Sequence, residues 1–407
     1  MAKKNAEKTA LNKENWQSSF NLVGEARVND NTFQLDQQSQ KSDWVYNRFN
    51  IGLDCGEESG VVYAQAMGGY GANRDNVIYV HGKDENDKDD WQNQYTIDWE
   101  DRNDESILSD IGDACFYTAA IETDTKGKLV YMRFLSQYDM IQYLSEHLED
   151  GMTLSISGNL SYQEYEGSVN VQKDIRRVTL ISDPKPENYH ATFTQSVLID
   201  QDSKGDVDKE KGTIYIDAYV LEYFKEYNGV SLANGKAKGG LVPLKKTFEY
   251  KINLENKELT QKAIKKLFVP KARTVSQITF NGEFIESGAT VQATVDDLPD
   301  EIKDLIALGI YSEEEALAQC ATNGNRERRM VFTAPFIKKV TDNDGNVTPV
   351  VQIFDAKYTD DDLLLDCIVN PQTEFEDADE DEIPEDFKDD VEDTDDDDSD
   401  SSWLDEL

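Results

Sequence analysis

The chain has 407 residues, of which 82 are acidic and 41 basic, so its formal net charge is −41. This length predicts two or three domains, and a charge of that size spread evenly would exclude binding to nucleic acid and to anionic membranes. Hydrophobic residues make up only 38% of the chain, so part of it cannot be packed, while 10% aromatic residues allow the remainder to form a core.

The charge is segregated along the chain. Residues 371–407 hold 20 acidic residues and one basic residue, and residues 84–105 hold ten acidic and two basic residues. Residues 236–273 carry 11 basic residues against three acidic ones, and residues 326–339 carry five against one. A chain with this distribution has a candidate anion-binding surface in spite of its negative total.

Residues 1–15 are predicted to form a short flexible arm, because they are charged and lack hydrophobic periodicity. A first β-rich domain is predicted over residues 16–182, where apolar and polar residues alternate. Its expected elements are strands at 20–28, 44–53 and 61–67, a helix at 138–148, and strands at 154–160 and 169–180.

Residues 183–188 contain two prolines and are predicted to be a linker. A second β-rich domain is predicted over residues 189–370, with a helical insertion at about 299–319. Its other expected elements are strands at 193–199, 213–223 and 247–254, a helix at 257–268, and strands at 277–285, 329–340 and 350–354. Residues 371–407 have the composition of a disordered acidic tail.

A weak internal repeat relates the two domains. In each, a helix precedes a strand that contains a glycine, and these glycines, Gly158 and Gly282, lie 124 residues apart. Three strands, a helix and two strands is the element order of the five-stranded OB barrel. The expected fold is therefore mainly β, with two tandem OB-like barrels, helical insertions and a disordered tail. Two unrelated β-sandwiches are the alternative.

Single-stranded nucleic acid is bound by aromatic faces that stack on bases and by cations that follow the phosphates. In the first domain the candidate DNA-binding residues are Trp44, Tyr46, Arg48, Tyr162, Tyr165, Lys173, Arg176 and Arg177. In the second domain they are Tyr219, Tyr223, Lys225, Lys236, Lys238, Lys245, Lys246, Tyr250, Lys251, Arg326, Arg328 and Arg329. Residues 236–246 are expected to form a flexible basic loop. The alternative is a core position for each aromatic residue and a solvated surface for each lysine.

The last residues of the tail differ from an ordinary solubilising segment because apolar side chains follow the acidic run. Acidic charge with an apolar end suits a basic pocket on a partner protein. The expected partner-binding residues are Trp403, Leu404, Asp405, Glu406 and Leu407.

This organisation resembles the single-stranded DNA-binding proteins of bacteria and especially of bacteriophages. Residues 151–160 and 162–165 are similar to the region of that family's fourth and fifth strands, and residues 379–387 loosely resemble its acidic Ile-Pro-Phe tip. The resemblance implies an OB fold, single-stranded DNA as ligand, and a tail that recruits proteins of replication, recombination or repair. The chain departs from the family in its two fused units and its Trp-Leu-Asp-Glu-Leu end.

No enzyme, cofactor or metal site is expected. The cysteines and histidines show no ligand spacing, and Gly68–Gly-Tyr-Gly71 is interpreted as a turn because it lacks a phosphate-binding signature. Residues 342–346 are interpreted as a hairpin turn between apolar runs. No apolar segment has the length of a signal peptide core or a membrane span, so a cytoplasmic protein is expected, in the host cell if it is phage-encoded.

The leading hypothesis is a sequence-independent, non-enzymatic single-stranded DNA-binding protein. Two alternatives remain open at this point. One is an acidic DNA mimic that inhibits a nucleic-acid-binding enzyme, and the other is a structural β protein such as a virion component.

Overall fold

The computed structural model describes residues 11–165, 167–233, 238–253, 255–286, 303, 306, 328–341 and 347–364. The first part of the chain forms β1 (Ser18–Arg27), β2 (Phe33–Gln38), β3 (Trp44–Asp54), β4 (Val61–Gly71), β5 (Val77–Lys83), β6 (Asp89–Asp98), α1 (Glu105–Leu108), β7 (Tyr117–Thr123), β8 (Leu129–Phe134), α2 (Gln137–His147), β9 (Thr153–Tyr165) and β10 (Ser168–Leu180). The second part forms β11 (His190–Ile199), β12 (Lys204–Asp208), β13 (Thr213–Phe224), β14 (Glu226–Tyr227), β15 (Val230–Ser231), β16 (Gly240–Lys251), α3 (Lys257–Phe268), β17 (Thr274–Ile285), β18 (Arg329–Pro335), β19 (Ile337–Thr341), β20 (Val347–Val351) and β21 (Ile353–Thr359).

The first barrel is a closed ring of five strands. β1 pairs with β3, β3 with β4, β4 with β10, β10 with β9, and β9 again with β1; the β4–β10 pair is parallel and the others are antiparallel. Helix α2 lies between the third and fourth strands of this ring and buries Met140, Ile141 and Leu144. The hairpins β5–β6 and β7–β8 are insertions before that helix.

The second barrel has the same connectivity. β11 pairs with β13, β13 with β16, β16 with β18, β18 with β17, and β17 with β11; here the β16–β18 pair is the parallel one. Helix α3 again lies between the third and fourth strands, and it buries Ile264, Leu267 and Phe268. The predicted fold class, mainly β with tandem OB-like barrels, is confirmed.

The two barrels are joined by their first strands. β1 and β11 pair antiparallel, from Ser18 opposite Gln195 to Val23 opposite His190, so one sheet continues through both barrels. The buried side chains of both barrels also form one hydrophobic cluster. Backbone hydrogen bonds and apolar packing therefore hold the two units together.

Part of the predicted N-terminal arm is in contact with the second barrel. The Asn12 amide donates a hydrogen bond to the Tyr358 hydroxyl at 3.3 Å, and the Lys357 ammonium donates to the Glu14 carbonyl at 3.2 Å. Leu11 and Trp16 pack against the apolar cluster around Tyr358. Residues 11–15 are therefore bound to the barrel, which corrects the expectation of a free arm for that part.

The repeated glycines occupy the same point in the two barrels. Gly158 lies opposite Phe20 on the first strand of its barrel, and Gly282 lies opposite Phe193 on the first strand of the other. In both barrels the fifth strand carries a bulge beside this glycine. A Cβ atom at Gly282 would lie 2.2 Å from the Phe193 ring, so only glycine fits there without a shift.

Several sequence predictions lie outside the described residues. They are the acidic tail with its five partner-binding residues, the turn at 342–346, Lys236, Arg326 and all of the 299–319 insertion except residues 303 and 306. The strands on either side of that turn, β19 and β20, pair antiparallel as a hairpin requires. In the described part of the chain no helix has the length and hydrophobicity to cross a bilayer.

Candidate nucleic-acid interface

The outer face of β3 carries a row of three predicted DNA-binding residues. Alternation places Trp44, Tyr46 and Arg48 on this face, because Asn47 and Phe49 point into the barrel and are buried. The rings of Trp44 and Tyr46 stack with their centroids 4.8 Å apart and their planes 20° from parallel. Arg48 is exposed. This row combines partly exposed aromatic faces with a cation, as the sequence predicted.

The neighbouring strand β4 places glycines opposite the two rings of the aromatic row. Trp44 lies opposite Gly71 and Tyr46 lies opposite Gly69, so no side chain of these two partners stands beside the rings. A Cβ atom at Gly69 would lie 2.0 Å from the Val45 carbonyl oxygen. The glycine-rich segment is therefore the end of strand β4, and its interpretation as a turn was wrong. The close approach of the β3 backbone is the physical reason for glycine here.

The corresponding face of the second barrel lies on β13 and β16. Tyr219 and Tyr223 lie on the face of β13 opposite to the buried Ile216, Ala218 and Val220. Tyr223 is exposed there, while Tyr219 packs against the apolar cluster around Tyr358. Lys245 on β16 lies opposite Tyr219, with its Nζ atom 5.9 Å from the ring centroid. These strands, like β3 and β4, are second and third in their ring, the face on which OB folds bind oligonucleotides.

The basic residues of the second barrel are distributed differently from the prediction. Lys245 and Lys246 belong to strand β16 and not to a flexible loop, and Lys251 is exposed near the end of the same strand. Lys225 and Lys238 are exposed beyond the other end of the β13–β16 pair.

Burial and the neighbouring Asp200 carboxylate raise the pKa of Tyr219, so its hydroxyl stays neutral.

Three predicted DNA-binding residues are core residues. Tyr162 is 3% exposed and donates a hydrogen bond to Gln195 Oε1 at 2.9 Å. Tyr250 packs against Phe268, with ring centroids 5.0 Å apart. The Lys173 ammonium is buried 2.6 Å from the Glu286 carboxylate. All three predictions were wrong as surface contacts, because strand periodicity separates two faces without showing which one is inside.

Tyr162 offers a direct check of this correction. Replacing Tyr162 with Phe removes its hydrogen bond to Gln195 and leaves the ring in place, so the free energy of unfolding falls by about 0.5–1.5 kcal/mol. Affinity for oligo-dT stays unchanged, because the ring faces the core. Urea unfolding gives the first quantity and a fluorescence titration gives the second; a clear loss of affinity in a folded variant would return Tyr162 to the interface.

Arg176 and Arg177 hold an insertion and do not extend the aromatic row. The Arg176 guanidinium lies 4.4 Å from the Tyr117 ring centroid, and Arg177 Nε donates to Thr118 Oγ1 at 3.1 Å. Both contacted residues belong to β7, which pairs with β10 at this point. Neither arginine contacts the β3 row.

The remaining predicted residues lie either near the tip of the β9–β10 hairpin or in a cleft between the two barrels. Tyr165 is 67% exposed near the tip of the β9–β10 hairpin. Arg329 donates from Nε to Glu249 Oε1 at 2.6 Å, while Arg328 is exposed beside it. Arg328, Arg329 and Lys246 line a cleft between the barrels, together with Lys173.

Sequence reasoning missed the surface residues on β4. Tyr63 and Met67 are 40% and 45% exposed, and with Gln65 they alternate along the outer face next to the β3 row. These side chains alternate with the buried Val62, Ala64 and Ala66. The polar and aromatic half was the signal that would have found them.

The structure brings Cys115 and His81 into contact, although they are 34 residues apart in the sequence. Cys115 Sγ lies 3.3 Å from His81 Nδ1, and His81 Nε2 lies 2.7 Å from Asp89 Oδ1. Burial raises the pKa of the Cys115 thiol, so the thiol is protonated at neutral pH. Within the described ranges, no cluster of three histidine, cysteine or carboxylate side chains is arranged to hold a metal ion.

Comparison with known proteins gives three results. A family model described as YorF matches residues 115–286, which is less than half of the chain. Two structures of the single-stranded DNA-binding protein of Thermus aquaticus, the wild type and a deletion mutant, are similar at 10% identity and a TM-score of 0.27. The matches cover 67% of this chain and 86% and 89% of those chains, respectively. No curated protein matches the sequence significantly.

Proposed function

We propose that this chain is a non-enzymatic protein that binds single-stranded DNA without sequence preference. One observation carries the proposal: the stacked pair Trp44–Tyr46 lies beside Arg48 on the second-and-third-strand face of a closed barrel. The second barrel has Tyr219, Tyr223 and Lys245 on its equivalent face. Aromatic rings next to cations on this face are the combination that a single strand requires.

The chemistry of these side chains accounts for the absence of sequence preference. Every base has a π-face, and stacking on an aromatic ring contributes about 1–3 kcal/mol per base whichever base it is. Arg48 and Lys245 supply charge for phosphates, which are identical along the strand. Bases in a duplex are already stacked and paired, so they are not available to stack on these rings, and double-stranded DNA binds more weakly to the same face.

A titration with oligo-dT and a matching duplex tests the proposal. Binding of oligo-dT quenches tryptophan and tyrosine fluorescence and weakens as salt rises, while the duplex binds far more weakly. A chain without its tail that binds neither DNA would favour the DNA-mimic hypothesis. Ordered self-assembly without strand affinity would favour a structural β protein.

The proposal assigns the acidic tail to protein recruitment in replication, recombination or repair, in the cytoplasm. Residues 371–407 carry 20 acidic residues and one basic residue, a net charge of −19, and end in Trp403, Leu404 and Leu407 among acidic neighbours. Electrostatic attraction would speed the encounter with a basic partner surface, and the apolar side chains would anchor the complex.

The tail also competes with DNA in this proposal. A variant ending at Asn370 loses a net charge of −19 and therefore binds oligo-dT more tightly than the full chain, by roughly tenfold at low salt. The difference shrinks as salt screens the tail. Parallel salt titrations of the two chains measure it, and equal or weaker binding by the shortened chain contradicts the competition.

A further inference from the structure

The two aromatic faces end in the same place, a cleft between the barrels. Its volume is about 590 Å³, and both barrels line it: Asn50 and Gln65 come from the first, and Tyr215 and Thr247 come from the second. Asn50 and Gln65 lie on β3 and β4, while Tyr215 and Thr247 lie on β13 and β16. The strands that carry the two faces therefore also form the walls of the cleft.

The lining residues continue the two rows. Asn50 follows Trp44, Tyr46 and Arg48 at the spacing of two that keeps side chains on one face of β3. On β13, Tyr215 is four residues before Tyr219 and lies on the same face. The rise of about 3.3 Å per residue makes the first row roughly 20 Å long. Both rows therefore reach the cleft.

The cleft is positively charged although the chain is strongly acidic. Its lining contains four cationic side chains, Lys173, Lys246, Arg328 and Arg329, and two carboxylates, Glu249 and Glu286, so its formal charge is 4 − 2 = +2. Lys173 pairs with Glu286 and Arg329 pairs with Glu249, which accounts for both carboxylates.

Lys246 is a partly buried cation of this cleft, and its ammonium group forms no ion pair with a carboxylate of the described residues. Its Nζ atom donates to the Val169 carbonyl of the first barrel at 3.0 Å, and among the described residues no carboxylate lies within ion-pair distance. Burial, and then the charge of Lys173, lowers the pKa of Lys246. Holding an ammonium group in such a position opposes folding, and an anion in the cleft would relieve that cost.

We propose that one DNA strand crosses from the first barrel to the second through this cleft and that Lys246 binds one of its phosphates there. This inference rests on the proposed function and adds the path of the strand. Arg328, exposed at the cleft, supplies a second charge, and the amides of Asn50 and Gln65 offer donors to the same backbone.

The test is the salt dependence of oligo-dT binding by Lys246→Met in the full chain. A plot of log K against log salt concentration has a negative slope. Loss of one phosphate contact with single-stranded DNA makes this slope shallower by about 0.7. Lys265→Met on α3 removes the same charge from an exposed position outside the cleft, so it leaves the slope unchanged. The oligonucleotide is about 30 nucleotides long, enough to occupy two OB folds.

Stability gives a second readout. Lys246→Met removes a partly buried ammonium, which favours folding, and also its hydrogen bond to the Val169 carbonyl, which opposes it, so the melting temperature stays close to that of the native chain. A fall in melting temperature marks Lys246 as a structural residue and overturns the proposal, as does a slope equal to that of the native chain. If the native chain does not bind oligo-dT at all, the proposed function itself fails, which is a different result.

Discussion

Trp44→Ala binds oligo-dT roughly 5- to 150-fold more weakly than the native chain, because each base stacked on an aromatic ring contributes about 1–3 kcal/mol. Trp44 stacks on Tyr46 on the outer face of β3, so its removal takes away one ring and exposes the other. Neither ring belongs to the buried core, and the fold is retained. Equilibrium titration at fixed salt, with circular dichroism to check the fold, measures the effect.

Trp91→Ala is the matched control. Trp91 is 62% exposed, but it lies on the inserted β5–β6 hairpin and not on the second-and-third-strand face. Its removal therefore leaves oligo-dT affinity within experimental error of the native value. Equal affinities for Trp44→Ala, Trp91→Ala and the native chain would show that the stacked pair does not contact DNA.

Gly158→Ala destabilises the protein severely. A Cβ atom at this position would lie 2.0 Å from the Asp174 carbonyl oxygen of β10, and backbone cannot rotate away as a side chain can. We expect a loss of about 3 kcal/mol or more in the free energy of unfolding, since the strands must separate at the bulge. Urea unfolding followed by circular dichroism measures the loss.

Gly240→Ala is the control for Gly158→Ala. Gly240 also lies in a strand, but the nearest atom to a Cβ there is Leu232 Cβ at 3.5 Å, an ordinary van der Waals contact. The free energy of unfolding should change by about 1 kcal/mol or less. If the two variants were equally stable, the pairing of β9 with β10 around Gly158 would have to be revised.

The predicted interface residues differ in outcome for a physical reason. Trp44, Tyr46 and Arg48 share the outer face of β3, as their alternation with the buried Asn47 and Phe49 predicts, and their role in binding stays a prediction. Tyr162 and Tyr250 also alternate, but with the apolar phase, and an aromatic ring with one hydroxyl fits either face. Lys173 was unpredictable, because its partner Glu286 comes from the other barrel.

The amino-acid sequence by itself determined the order of the barrel strands, the positions of both barrel helices, the repeat of Gly158 and Gly282, and the segregation of charge. These features depend on local periodicity and composition, which act within one element or between neighbours. Only the tertiary structure decided that β1 pairs with β11, that the insertion binds Arg176, and that Lys246 faces a cleft between barrels. Those contacts join residues far apart in the chain, where local patterns carry no information about which surfaces meet.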